Sequence, residues 1–486
     1  MNQKTNTATG YLWKLLERFG VQGIQFALQV VLARLLNPDH YGALSLMFIF
    51  INLANVFIQK GFNTALIQNQ DVTEEDYSSV FWVSLGIAAV LYGVIYCMAP
   101  AIAVFYRIPD MAVPLRVLAL SLFPGVVNSI QLAKVSREMD FKKVFYSNVG
   151  GILISGIVGV LIAVAGGGLW ALVIQNLLNI TIACAVMLFT VRWVPIWVCN
   201  LQRIAVLFAY GWKLLVAGLL NMLEQSLSSL VIGRKYSSSA LAYYSRGAQF
   251  PQFFINAITG AMESVLLPAM SAQQNSGQKV KELARSSMLV GSYVILPMMA
   301  GLAGVATPLI RLLLTEKWLP AVPYMRICCF TYAFYTVHVC NLQAINAVGR
   351  SDLFLKQEII KKVYGLLLLA GAVVFFDSPM AIALTGVVGS VIGWGVNAFP
   401  NKKLIGYAFW EQVVDLLPIC MITALMYVCV LLTGYGCVLV HMSDSIILAI
   451  QVVVGVVVYL LQSIILNLYP YRLMKDVALN FLKKYK

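Results

Sequence analysis

Lys14, Arg18, Gln22, Gln25 and Gln29 follow one another at steps of four, four, three and four. On an α-helix that spacing makes one polar stripe along a single face. The chemistry it offers is binding: Lys and Arg grip an anion such as a phosphate, and Gln and Asn exchange hydrogen bonds with hydroxyls. A second stripe at the same steps is formed by Lys213, Ala217, Asn221, Glu224 and Ser228, with one alanine gap. A third comprises Arg246, Gln249, Asn256, Gly260 and Glu263, and a fourth Asn52, Asn55, Gln59 and Asn63.

None of these stripes holds a nucleophile beside a base. The three histidines, His40, His338 and His441, are scattered, and the nine cysteines are odd in number and without metal-ligand spacing. Most of them lie inside apolar stretches, where cysteine serves as a small packing residue. Neither a metal centre nor histidine-based catalysis is expected.

The first two stripes are copies of one another. Tyr11, Trp13, Lys14, Leu15 and Leu16 match Tyr210, Trp212, Lys213, Leu214 and Leu215 at an offset of 199, and after a one-residue insertion Val31 and Arg34 match Val231 and Arg234. A further anchor pairs Asn128, Val135, Arg137, Phe141 and Lys143 with Asn341, Val348, Arg350, Phe354 and Lys356 at an offset of 213. The growth in offset places an insertion between the anchors, around residues 315–323. The duplication therefore spans whole halves of the chain.

The elements that carry the stripes follow from composition. Of 486 residues 60% are hydrophobic and only 11% charged, with a mean hydropathy of +0.83. A soluble domain is nearer half apolar and a quarter charged. An all-α integral membrane protein is expected, with about fourteen spans of roughly 20 residues each. They are centred in residues 11–35, 41–60, 78–104, 111–133, 143–165, 168–191, 205–233, 241–268, 283–307, 321–346, 357–376, 379–399, 412–433 and 442–467. The first is interrupted by Glu17, Arg18 and three glutamines and no small-residue cleavage site follows it, so it does not read as a signal peptide.

With the N-terminus inside, the inner segments hold about 24 of the 34 Lys and Arg, which places both termini in the cytoplasm. The net charge of +14 then reflects topology, and nucleic acid is not an expected partner. The acidic inner loop before residue 77 reads as a solvated connector, and the glycines at 150–168 as sites of close helix contact or tight turns. Trp82, Trp193, Trp197, Trp318 and Trp410 fall near span ends, as interfacial belt residues do.

Six spans per repeat is an even number, so both copies enter the membrane from the same side. The expected architecture is two six-helix bundles, residues 1–200 and 201–400, related by a pseudo-two-fold axis along the membrane normal. Residues 401–486 add two peripheral apolar helices and an amphipathic tail suited to an anionic leaflet. A pathway at the interface of the bundles would be lined by the stripes. The candidate substrate-binding residues are Lys14, Arg18, Gln22, Gln25, Arg34, Asn52, Lys213, Asn221, Glu224, Arg246, Asn256 and Glu263. Each has a structural alternative: Lys14, Arg18 and Lys213 lie near the inner end and Arg34 and Arg234 near the outer end, where long side chains snorkel. Glu224 and Glu263 are either ion-pair partners or protonation sites.

Fourteen spans, a repeat of six, a first span running into LARLLNPDHYGALSL and a fourth-to-fifth loop reading SREMDFKK resemble the polysaccharide transporter (Wzx-type flippase) branch of the multidrug/oligosaccharidyl-lipid/polysaccharide exporter superfamily. The resemblance covers essentially the whole chain. It implies a bacterial inner-membrane flippase, not an enzyme. The cargo would be an undecaprenyl-diphosphate-linked oligosaccharide, moved by alternating access for capsule, O-antigen or exopolysaccharide synthesis. The implied partners are that substrate, membrane lipids, and a polymerase with its chain-length machinery. No cofactor is implied beyond proton or sodium coupling. Two other readings stay open: a drug or cation antiporter of the same superfamily, which the basic excess in the stripes disfavours, and a membrane polymerase or ligase, which would need a larger outer loop.

Overall fold

The computed structural model of the chain describes residues 20–59, 66, 72–138 and 140–484, and every regular element among them is helical. Helices are what a chain this apolar must form, because hydrocarbon offers backbone amides no partner outside their own segment. Two compact units, Met1–Ala242 and Tyr243–Lys486, divide it.

The first unit contains α1 (Gln22–Leu35), α2 (Pro38–Gln59), α3 (Glu74–Phe105), α4 (Ala112–Ala119), α5 (Leu122–Glu138), α6 (Phe141–Val164), α7 (Leu169–Val191) and α8 (Leu201–Lys235). The helix α9 (Ser238–Ser271) begins in this unit and runs into the second. The second continues with α10 (Gly277–Gly304), α11 (Ala306–Leu314), α12 (Val322–Ala333), α13 (Tyr335–Ala347), α14 (Ser351–Phe375), α15 (Pro379–Ala398), α16 (Asn401–Leu404), α17 (Phe409–Leu439), α18 (Asp444–Ile465) and α19 (Tyr469–Lys484).

Among the described residues eleven helical stretches are long and apolar enough to cross a membrane. The reading of fourteen spans differs at three places. The described part of the first span is the 14-residue α1. The tenth is broken at Phe334 into α12 and α13. The eleventh, α14, carries Lys356, Glu358, Lys361 and Lys362 in its first half. The lipid-facing surface is apolar: Val104, Phe189, Phe375 and Ile465 are among the large side chains left exposed.

Within the first unit α6 and α7 lie against each other with almost no space between backbones. A Cβ at Gly159 would stand 2.7 Å from Cβ of Gln175, so only glycine fits there. Ser147 Oγ donates to the Ala183 carbonyl at 2.7 Å across the same seam. Gly151, Gly156 and Gly159 are therefore close-packing glycines, and Gly166, at φ +83° with nothing within 4 Å of a Cβ, is a turn residue, the two roles expected of this stretch.

The helix α3 starts with a capping box: Thr73 Oγ accepts from Asp76 N at 3.4 Å, and Asp76 Oδ2 accepts from Thr73 N at 2.9 Å. Most of the acidic connector, residues 60–65 and 67–71, lies outside the described residues; of its described carboxylates Glu74 and Glu75 are exposed, as a solvated connector requires, and Asp76 departs from that reading. Asp76 is only 3% exposed, and its Oδ2 also receives Arg203 Nη1 at 3.0 Å. Glu74 accepts from Lys134 Nζ at 2.6 Å and from Trp193 Nε1 at 2.8 Å.

Two of the five tryptophans likewise depart from the belt reading. Trp193 and Trp318 are buried, each edge-on to a tyrosine, Tyr77 and Tyr243 respectively. Trp82 and Trp197 do lie at the surface, stacked at 4.4 Å.

In the second unit a buried carboxamide network holds α13, α15, α16 and α17 together. Asn341 Nδ2 donates to Gln412 Oε1 and Gln412 Nε2 donates back to Asn341 Oδ1, both at 2.9 Å. Asn401 Nδ2 donates to the same Oδ1 at 2.7 Å, and Trp394 Nε1 to Gln412 Oε1 at 3.0 Å. The last two spans, α17 and α18, expose apolar outer faces, as peripheral helices do. Their inner faces are bound to α10: Lys281 pairs with Glu411 at 2.8 Å, Arg285 Nε donates to Asp415 Oδ2 at 2.8 Å, and Tyr459 Oη donates to the Tyr293 carbonyl at 2.7 Å. Burial pushes the Tyr407 phenol up, helped by its bond to Asp415, so it stays protonated and donates to Asp415 Oδ2 at 2.8 Å. The tail helix α19 forms where an amphipathic helix was expected.

Candidate functional site

The stripe residues fall on elements of two kinds. Lys14 and Arg18 lie outside the described residues. Gln22 and Gln25 are exposed on α1, whose other side packs onto α6 through Leu28 against Gly156. Arg34 is exposed at the C-terminal end of the same helix, and Asn52 is exposed on α2. Lys213, Asn221 and Glu224 are exposed along the middle of α8. In the second unit Arg246 is half-buried on α9 and donates through Nη1 to Gln249 Oε1 one turn on, while Asn256 and Glu263 are exposed on the same helix.

The placement of α8 explains how so polar a face stays uncovered. Although it opens the second sequence repeat, it packs within the first unit, against α2 and α3, and it is held at its two ends. At its start Asn200 caps it, accepting from Arg203 N at 3.2 Å, and the Asn200 amide donates to Ser79 Oγ at 3.0 Å. The segment before it is strapped to α3, with Trp82 Nε1 donating to the Ile196 carbonyl at 2.9 Å and Ile196 N to Ser78 Oγ at 3.0 Å.

At the other end of α8 the Arg234 guanidinium lies 4.7 Å above the Phe105 ring. Just beyond, Ser238 and Ser239 both donate to Asp39 Oδ1, the first at 2.8 Å. Gly42 sits so close that a Cβ there would fall 1.8 Å from the Ser238 carbonyl oxygen. Between these anchors Trp212, Lys213, Val216, Leu220, Asn221, Leu223 and Glu224 are all exposed. A helix fastened at its ends, with cation, amide and carboxylate at intervals along an apolar shaft, can take up a ligand that is itself part charged, part hydroxylated and part lipid.

Sequence reasoning missed a second titratable set, in the second unit. Glu358 and Lys361 form an ion pair on α14; Glu358 and Glu263 both lie near the Tyr335 hydroxyl, and Lys361 lies near His338. His338 is fixed between Ser390 Oγ, 3.2 Å from Nε2, and Asn397 Nδ2, 3.0 Å from Nδ1. Lys361 reads as one more inner-segment cation, and the signal that could have separated it is Glu358 three residues earlier, at ion-pairing spacing on the same helix.

The geometry meets its relatives here. The family model of polysaccharide biosynthesis proteins matches residues 31–323, from the end of α1 into α12. The chain belongs to that family. Among similar members of known name, the succinoglycan biosynthesis transport protein ExoT of Rhizobium meliloti (strain 1021) is 23% identical over 351 residues, 72% of this chain and 71% of that one. The teichuronic acid biosynthesis protein TuaB of Bacillus subtilis (strain 168) is 24% identical over 425 residues, 86% of each chain. Among solved structures, the lipid II flippase MurJ in an inward closed conformation superposes with a TM-score of 0.71 at 15% identity, covering 94% of this chain and 98% of that one. At that identity the likeness shows a shared fold. This polysaccharide biosynthesis protein is thus a multi-pass membrane protein of the fold that MurJ adopts, and its relatives of known name include transport proteins.

Proposed function

We propose that the chain is a flippase that carries a lipid-diphosphate-linked oligosaccharide from the cytoplasmic to the periplasmic face of a bacterial inner membrane, supplying capsule, O-antigen or exopolysaccharide synthesis. The observation that carries this reading is the uncovered face of α8, clamped at both ends, in a chain of the polysaccharide biosynthesis family. A flipped lipid-linked sugar presents a diphosphate and many hydroxyls to a region where each unsatisfied polar group costs several kcal/mol. In the first unit Lys213, with Lys14 and Arg18, offers charge to the diphosphate and Gln22, Gln25, Asn52 and Asn221 offer amides to hydroxyls; in the second Arg246 and Asn256 offer the same two kinds of contact.

In this reading both termini are cytoplasmic, and the two repeats alternate access to the stripes. The repeats run over residues 1–200 and 201–400, with 401–486 as an addition. No chemistry is performed on the cargo, so no catalytic residue is assigned. Glu224 and Glu263 are protonation sites that couple movement to a proton or sodium gradient, and a polymerase with its chain-length machinery takes the product. The succinoglycan and teichuronic acid relatives and the lipid II flippase support this class of cargo.

The decisive test is deletion of the gene in its native host and analysis of lipid-linked intermediates. Accumulation of a complete lipid-linked repeat unit on the cytoplasmic face is expected. Accumulation of fully translocated but unpolymerised units would favour a polymerase instead, and an unchanged lipid-linked pool with lost drug resistance would favour an antiporter.

A further inference from the structure

The sequence repeat equates Asn128 on α5 with Asn341 on α13, and the two amides are treated differently. In the second unit Asn341 is fully engaged by the reciprocal pair with Gln412 and by Asn401. Among the described residues of the first unit no side chain donates to Asn128 as Gln412 does to Asn341. Asn128 Nδ2 donates to the Ile180 carbonyl of α7 at 3.3 Å, while its buried Oδ1 has no partner among the described residues.

Asn55 of α2 stands beside it. Its Oδ1 is 3.6 Å from where a Cβ on Gly125 would lie, and Ile180 Cδ1 is 3.7 Å from the same point. That oxygen too is buried without a donor. Gln131 follows Asn128 by three residues, so the two are neighbours on one face of α5. It is 0% exposed, and neither its Oε1 nor its Nε2 has a partner among the described residues. The Asn55 and Asn128 oxygens are thus enclosed where α2, α5 and α7 meet, and the buried Gln131 amide follows one turn on along α5.

Buried amides are costly to leave unpaired, and the mixture of types selects the occupant. A cation would serve the three oxygens but strand the Gln131 amide nitrogen, and none of these groups carries a charge to balance it. An anion would do the reverse. Water both donates and accepts, and is the usual partner of such groups inside proteins. We infer that a cluster of ordered water molecules is bound between Asn55, Asn128 and Gln131 inside the first unit, satisfying Asn128 where its counterpart Asn341 is satisfied by a side chain. Water-mediated contacts re-form after small displacements, so this junction tolerates sliding of α5 that the reciprocal amide pair of the second unit resists.

The test uses the purified full-length protein. Gln131→Leu removes one side of the cluster and leaves Asn55 and Asn128 unsatisfied, so its melting temperature is expected to fall by about 2–4 °C. The triple variant Asn55→Leu, Asn128→Leu, Gln131→Leu removes every group that needs water and is expected to melt above the single variant. A single variant that melts at or above the wild type would overturn the inference, as would a triple variant that loses more than the single. Radiolytic hydroxyl-radical footprinting of the wild type decides the matter if the variants do not accumulate. Bound water should label the buried peptide around Gln131, and complete protection of it would overturn the inference.

Discussion

Asp76, enclosed at the first turn of α3, holds Arg203 at the start of α8 at 3.0 Å, and the second unit repeats the tie with the signs reversed, Arg285 of α10 holding Asp415 of α17. In the first unit α8 is thereby fastened back to α3, and in the second α17 to α10. The two partners of the first tie are unequal: the Asp76 side chain is 3% exposed and that of Arg203 50%. Asp76→Ala removes the cap of α3 as well as the ion pair, a loss of about 1–3 kcal/mol. Arg203→Ala removes an exposed partner and should cost no more than about 1 kcal/mol. Thermal unfolding of the two variants should show that order, and the reverse order would refute it.

Gly42 offers a steric test of how α8 and α9 are held. Its replacement by alanine puts a methyl group into the Ser238 carbonyl, backbone that has no rotamer to change, at a cost of roughly 1–3 kcal/mol or more. Reduced accumulation in the membrane is expected. Gly23→Ala on α1, where a Cβ meets nothing within 4 Å, should accumulate normally.

The buried amides of the second unit make a prediction about α17. Gln412→Ala strands Asn341 and the Trp394 indole nitrogen together, which costs about 2–4 kcal/mol. The double variant Asn341→Leu, Gln412→Leu still strands the Trp394 indole nitrogen but no longer the Asn341 amide, so it should be less harmed than Gln412→Ala. Denaturation in detergent measures both.

Lys213 and Arg246 test the substrate reading. Changing both to alanine should lower polymer export at least about tenfold, since each charge-assisted contact is worth roughly 1.5–3 kcal/mol, with the protein still present in the membrane. Normal export from the double variant would remove these residues from the mechanism.

Coupling is tested at Glu224. With Gln in its place, transport in reconstituted vesicles should fall and lose its dependence on an imposed proton gradient. A rate and pH profile equal to those of the wild type would exclude Glu224 from coupling.

Composition and periodicity alone determined the membrane-embedded helical class and the faces that carry polar groups, because hydrocarbon permits a buried chain little besides helices and a helix repeats every 3.6 residues. Lys213, Asn221 and Glu224 did prove to share an uncovered stretch of α8. What periodicity cannot carry is which charges meet. Asp76 and Arg203 are 127 residues apart in the chain, and Arg285 and Asp415 are 130 apart, so each read as a loop or topology charge until the helices were packed. The same holds for α8, which sequence assigns to the second repeat and packing to the first unit. A repeat records descent, whereas contact depends on which apolar faces and charged ends come together in three dimensions, and only the tertiary structure decided that.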